Sequence, residues 1–589
     1  MRPRLRIGCG AGFWGDSAEG PRQLVRSGEI DVLVLDYLAE ITMSLLARAR
    51  ARDPAAGYAT DLPGVLAALA EDLKARGIRV VTNAGGVNPQ ACKAALEEKL
   101  AAQGIALKIA IVTGDDLLPR AAEFAQLREM FSGEALPASP WSFNAYLGAF
   151  PIAAALADGA DIVITGRCVD SALALGPLIH AFGWTPTDYD RLSAGSLAGH
   201  VIECGVQATG GIATDWEAVV ADWDHMGFPI AICEPDGSFV LTKPAGTGGR
   251  VVPETVAEQI VYEVGDPAAY LLPDVSCDWR DLRVEAAGPD RVRVSGARGR
   301  APSAYYKCSV TAQEGFRCAT TMMVGGLDAV RKAEAVGGAV LARTRRMFAA
   351  QNLGDYRRTN IEVLGAESNW GAHARRADTR EVILKIAVQH ADKRALEIFS
   401  RECIPAATAM AQGLTGFAGG RPTPSPLVRL WSCLVPKAAV PIQIDAQPWS
   451  SPPIEVADDL SAKAVPVVVE PMPTGPRRRV RLIDLAYGRS GDKGDAANIG
   501  VLARRPEFVP VLREQLTAAA VKDWFAHFVT GSVERYEWPG LQGFNFLMQG
   551  ALGGGGIASL RHDPQGKMFA QILMDFPLEV PEALLESHA

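Results

Sequence analysis

Residues 4–170 repeat one device five times: a short apolar run that ends in a glycine-rich or polar turn and is followed by a helix-period segment. The runs are LRIGCGAG, DVLVLDYLAE, GIRVVTNAGG, LKIAIVTGDD and ADIVITGRCVD. A short apolar run bounded by turn residues reads as a strand buried on both faces. Strands separated by helices pair in parallel through crossovers. The sequence therefore predicts an α/β class: a mostly parallel sheet with crossover helices.

In such sheets functional groups gather at the carboxyl ends of the strands, because the loops there converge on one crevice. The five ends carry Gly10 between Gly8 and Gly12, Asp36 with Glu40, Asn83 with Gly85 and Gly86, Asp115 with Asp116, and Arg167 with Asp170. Turn formation or capping accounts for any one of these. Capping alone explains the set less well, and Gly10, Asp36, Glu40, Asn83, Gly85, Arg167 and Asp170 are taken as ligand-binding candidates. GCGAG is not a dinucleotide fingerprint, since Phe13 stands where the third glycine belongs.

At 589 residues the chain exceeds what one core usually supports, so two or more domains are expected. A net charge of −8 offers no general attraction to nucleic acid and favours small-molecule partners. The ten cysteines include no pair separated by two residues, so neither a zinc ribbon nor a thioredoxin-type pair fits, and reduced thiols are expected. MRPRLRIGCGAG is too short in its apolar run for a signal core, and no uncharged run approaches a bilayer span. A soluble, cytoplasmic protein without membrane partners is expected.

From about residue 280 to 455 the pattern becomes an α+β extension, with alternating strands LRVEAAG, RVRVSGARG, YYKCSVTAQ and FRCATTMMVGG, a helix over 329–350, a strand NIEVLGAE, a long helical region through Gly413, and strands VRLWSCLV and IQIDAQ. The core is thus 1–455, with a possible subdivision near 275–280. Residues 456–478 read as a proline-dense linker, and the basic run Arg477–Arg481 as its solvated end. Residues 479–580 form a small α+β domain of ferredoxin-like type: strand, loop, strand, a helix over 508–528, an aromatic loop, and a final strand MFAQILMDFPL.

Three segments could carry chemistry. GRSGDKGDAANIG, residues 488–500, reads as a loop between two strands whose glycines turn amides toward one point, as in an anion nest. Arg489, Gly491 and Lys493 would hold an anion, Asp492 and Asp495 accept protons or hold a cation, and Asn498 orient a carbonyl or a carboxylate. A hairpin needs one glycine and one Asx, so this stretch is over-equipped for a plain turn. In GHVIECGVQATGG, a helical segment places His200, Glu203 and Cys204 within mutual reach. An acid–base pair, a metal site and a satisfied structural pair all fit; no second cluster supports the metal, and none is assigned. KPAGTGGR, with Lys243, Gly246, Gly248 and Gly249, is either a plain loop or a phosphate cradle, and it lacks the Walker ending.

RIGCGAGFWGDS, DYLAE, VVTNAGGVNP, ADIVITGRCVDSAL, GHVIECGVQATGG and VLTKPAGTGGRV, in that order, resemble the acyclic terpene utilisation protein family, AtuA, and the GRSGDKGDAANIGV tail resembles the ferredoxin-fold domain fused behind that core in some members. The resemblance implies a role in breaking down branched unsaturated acids carried as coenzyme A thioesters. Joined to the acid–base groups above, it points to an acyl-CoA hydratase or lyase. His200, Glu203, Asp492, Lys493, Asp495 and Asn498 stand as catalytic candidates, with coenzyme A as thioester carrier and no further cofactor required. A non-catalytic acyl-CoA binding or assembly protein for a neighbouring carboxylase is the alternative. A homo-oligomer is expected, with the tail docking across a subunit interface or within its own chain.

Overall fold

The computed structural model describes residues 3–376, 378–416, 420–452, 455–457 and 472–586. The expected linker falls largely on 458–471, outside the described residues. All five strands of the opening pattern form: β1 (Leu5–Cys9), β2 (Val32–Leu35), β3 (Arg79–Thr82), β4 (Ile109–Thr113) and β5 (Ile162–Thr165). They lie in the order β1-β2-β3-β5-β4, every pair parallel. Their side chains are buried on both faces, between the clusters around Val34, Val81 and Val163 on one side and Leu33, Val80 and Ile164 on the other.

The sheet does not stay parallel. On β1 follow β6 (Ile230–Cys233), β7 (Phe239–Thr242), β9 (Arg291–Ser295) and β8 (Arg283–Gly288), each antiparallel to its neighbour, and short strands Gln443–Ile444 and Gln447–Pro448 close the edge beyond β4. The result is a mixed sheet of eleven strands, which corrects the mostly parallel expectation. The physical reason lies in β6–β7 and β8–β9, which are joined by short turns rather than crossovers and can pair only antiparallel. Residues 283–295 therefore widen the first sheet instead of opening a new layer.

The second sheet is built on one long strand, Tyr305–Gly325, where two strands had been expected; its register shifts between Gln313 and Phe316. It pairs with Glu381–His390 and Ser425–Pro436. The first of these replaces part of the expected helical region, because EVILKIAVQH is buried almost throughout by the helices Ala329–Ala350 and Lys393–Glu402.

The tail holds a four-stranded antiparallel sheet in the order Ala486–Lys493, Ala496–Ala503, Gly543–Met548, Val533–Trp538. The presumed loop at 488–500 is itself the first hairpin, turning at Gly494 (φ 65°), and the aromatic loop is the second. Two short helices, Val509–Gln515 and Ala518–Trp524, stand where one was expected; MFAQILMDFPL divides into a helix, Phe569–Leu573, and a strand, Pro577–Pro581; the basic run is the edge strand paired with it.

Strand alternation sets how the tail docks. Ala497, Ile499 and Val501 enter its own core, while Asn498 and Gly500 face residues 261–263 of the main body. A Cβ at Gly500 would lie 2.3 Å from Val261 Cγ2, and one at Gly491 2.4 Å from Glu263 Cγ. Those glycines let two backbones approach. Asn498 Nδ2 donates to the Val261 carbonyl (2.9 Å) and to Asn545 Oδ1 (2.9 Å), its Oδ1 accepts from Glu263 N–H (3.1 Å), and Asn545 Nδ2 donates to the carbonyls of Val264 (2.7 Å) and Gly265 (2.5 Å).

Candidate functional site

Helix α1 (Tyr189–Ile202) runs into the sheet edge and delivers His200 in its last turn, with Glu203 as its C-cap. His200 is buried against Trp279 (ring centroids 5.4 Å apart) and Tyr270 (6.0 Å). Its Nε2 donates to the Ile260 carbonyl (3.1 Å), which can only accept, and its Nδ1 faces Glu203 Oε1 at 3.3 Å.

Around this pair the strand ends assemble as the crevice rule anticipates. Asp36 is buried and its Oδ1 accepts from Asn83 Nδ2 (2.6 Å); Asn83 Oδ1 accepts from Tyr37 N–H (2.7 Å). Arg167 donates to the Leu38 carbonyl and to Asp170 Oδ1, both at 2.8 Å, and lies over the Tyr146 ring. Gly10 and Gly85 permit close packing: a Cβ would meet Pro21 N at 2.8 Å and the Thr165 carbonyl at 2.5 Å. The Glu40 side chain lies outside the described residues.

Burial pushes Asp36 well above the usual carboxylate range, and the charges of Asp170 and Glu203 push it further, against Asn83 and Arg167. Burial likewise raises Glu203, with His200 opposing and Asp170 adding to the rise. Asp115, one strand away, is pushed up to about 7 by burial although it accepts from Arg167 N–H and Asn144 Nδ2. Carboxyl groups that hold protons near neutrality are suited to proton transfer.

The tail closes this crevice with charge. Lys493 Nζ reaches Glu263 Oε2 at 3.0 Å, and Lys567 Nζ reaches Glu263 Oε1 at 3.3 Å, Asp492 Oδ1 at 3.2 Å and the Tyr262 hydroxyl. Burial would raise Glu263, but the two lysines outweigh it and hold it at about 2; Asp492, where burial and Glu263 prevail over the lysines, rises to about 6. Glu263 adopts the left-handed conformation (φ 58°), rare for a residue with a side chain, and the Asn498 clamp fixes it there. The side chains of Glu203, Glu263 and Asp170 retain 16%, 23% and 31% exposure, although burial or a buried partner governs this region.

The structure brings His200, Glu203, Asp36, Asn83, Arg167, Asp170, Asp492 and Lys493 into one electrostatic neighbourhood. It gives other work to the rest. Asn498 is a docking clamp. Asp495 Oδ1 accepts from Leu552 N–H (3.2 Å) and Gly554 N–H (2.7 Å) and holds a glycine turn. Arg489 is buried under the domain contact, donating to the Ile212 carbonyl (2.9 Å) and covering Tyr262. Gly491 sits in an extended strand, so the amide nest expected there does not form. Lys243 donates to the Thr247 carbonyl (2.7 Å) and pairs with Asp290 (3.1 Å), while Gly248 and Gly249 pack on Asp222 and Gly246 turns with φ 75°. Glu263, Tyr262 and Lys567 were missed by sequence reasoning; VYEVGD carried no motif signal, and only the pairing of the tail against it reveals its use.

Among the described residues, no group of three or more His, Cys, Asp or Glu side chains is disposed to hold a metal ion, and no helix is long and apolar enough to cross a membrane. Comparison with curated proteins and with solved structures finds no match. A family model described as "Acyclic terpene utilisation family protein AtuA" matches residues 5–446, and one described as "AtuA ferredoxin-like domain" matches 480–579. The first covers most of the chain and the second the docked tail that closes the crevice, so the chain belongs to the acyclic terpene utilisation family AtuA, with its ferredoxin-like domain fused behind the core.

Proposed function

We propose that this protein performs acid–base chemistry on a branched acyl thioester, of hydratase or lyase type, in acyclic terpene utilisation. The observation that carries the reading is the group of neighbouring carboxyls formed by the strand-end residues Asp36 and Asp170 and the helix-capping Glu203: Asp170 raises the proton affinity of the other two, and Glu203 that of Asp36, under a lid that supplies Lys493. For a 3-hydroxyacyl thioester, Glu203 takes the α-proton as base, with His200 holding it in place. Lys493 stabilises the charge that gathers on the thioester oxygen. Asp36, kept protonated, gives its proton to the departing hydroxyl; water leaves and a carbon–carbon double bond forms. The reverse sequence adds water. Each acid–base contribution of this kind is worth about 100- to 10,000-fold in rate.

The test is incubation of the purified protein with a panel of branched enoyl and 3-hydroxyacyl coenzyme A thioesters, followed by mass spectrometry. A change of one water in mass with at least one substrate, abolished in Glu203→Gln, is expected. Binding across the panel with no conversion overturns the catalytic reading in favour of an acyl-CoA binding protein.

A further inference from the structure

A cleft of about 900 Å³ lies where the second sheet meets the tail, and of the acid–base residues named above it is lined by Lys493 alone. Six of its lining residues are cationic: Lys307, Arg357, Arg358, Arg429, Lys493 and Arg561. Its three carboxylates are already engaged. Glu314 pairs with Arg429 (3.1 Å), Asp495 holds the glycine turn, and Glu129 accepts from the amides of Phe131 (2.8 Å) and Ser132 (2.5 Å). Among the described residues, none of Arg357, Arg358 and Arg561 has a carboxylate within ion-pair distance. Two of these cations converge: a Cβ built on Gly553 would sit 3.4 Å from Arg561 Nε and 3.5 Å from Arg358 Nη2. Burial lowers the proton affinity of Arg561, and Arg358 lowers it further against the opposing pull of Asp495. Like charges gathered on one glycine turn call for an anion between them. At the rim stands Phe131, 68% exposed, an aromatic face of the kind on which a base stacks.

We infer that this cleft binds a nucleotide bearing two or more phosphates, with the phosphates between Arg358 and Arg561 and the base against Phe131. Its volume suits a ligand of that size. Lys493 belongs to the cleft lining and also pairs with Glu263, so the cleft and the acid–base site meet at this side chain. That a nucleotide handle delivers an acyl arm past Lys493 rests on the proposed function; the cleft assignment does not.

The experiment is calorimetric titration of the full chain with coenzyme A, adenosine 3′,5′-bisphosphate, ADP and pyrophosphate at low and high salt. Nucleotide binding that weakens with salt is expected, with pyrophosphate at least tenfold weaker. Arg358→Gln, and separately Arg357→Gln with Arg358→Gln, should lower nucleotide affinity tenfold or more with thermal unfolding unchanged, while Asp36→Asn binds as wild type. Absence of nucleotide binding in the wild type, or equal binding by the arginine variants, overturns the inference. Equally tight pyrophosphate overturns the role given to Phe131. Nucleotide binding without turnover of any thioester supports the cleft and sinks the acid–base reading; turnover with KM unchanged in the double variant does the reverse.

Discussion

Replacing Asn498 by alanine separates docking from chemistry. Its amide makes three buried hydrogen bonds, to the Val261 carbonyl, the Glu263 amide and the Asn545 side chain, at 2.9, 3.1 and 2.9 Å. Only the bonds to Val261 and Glu263 cross from the tail to the main body, so at about 1 kcal/mol net for each the docking loses about 2 kcal/mol. That shifts the docked-to-open equilibrium of the tail by roughly thirtyfold. Hydrogen exchange of the 255–268 segment, followed by mass spectrometry, reads this opening directly. Exchange at the Glu263 amide should accelerate by that factor, and turnover should fall only as far as the docked population falls, recovering when the temperature is lowered. If exchange and unfolding are unchanged while turnover is lost, Asn498 acts on the substrate and the clamp argument is wrong.

Glu203→Gln and Asp36→Asn should each cut turnover by about 100-fold or more without lowering the unfolding temperature, since burial disfavours the charged form of both carboxyls and an amide is neutral and of the same shape; a stability loss instead of a rate loss would make them structural. Lys493→Met should abolish turnover and let Glu263 rise from about 2 as burial regains its weight. A carboxylate depressed in the fold contributes stability above its unfolded pKa and loses it as the pH falls toward the folded one, so wild type, more than the variant, should weaken in urea unfolding between pH 4.5 and 2. Asp115 and Glu258, both raised to about 7 by burial, act with the opposite sign: their contribution is full below the unfolded carboxylate pKa and lost as the pH rises through 7. Thermal unfolding should therefore occur at a higher temperature at pH 5 than at pH 8, and Asp115→Asn should flatten the slope.

The parallel core was legible because apolar runs such as VLVL and IVIT are buried on both faces and leave no other reading. The antiparallel additions were less so: RVRVS alternates, and alternation says that one face is exposed but not which sheet the strand joins. EVILKIAVQH was absorbed into a helical region because a fully buried strand and a buried helix segment share a composition. At the site, the strand-end residues Asp36, Asn83, Arg167 and Asp170 were found from topology alone. The glycines of GRSGDKGDAANIG misled, since an anion loop and a strand pressed against another backbone both demand a missing side chain. Glu263 was invisible because its importance comes from Lys493 and Lys567, 230 and 304 residues away along the chain.

The central claim is that carboxyls at the strand ends exchange protons with a carbon next to a thioester. Incubating the protein with a saturated branched acyl coenzyme A in deuterium oxide isolates that step, because nothing can be eliminated. The account predicts deuterium at the α-carbon with wild type and none with Glu203→Gln. A thioester shown to be bound that gains no deuterium contradicts it.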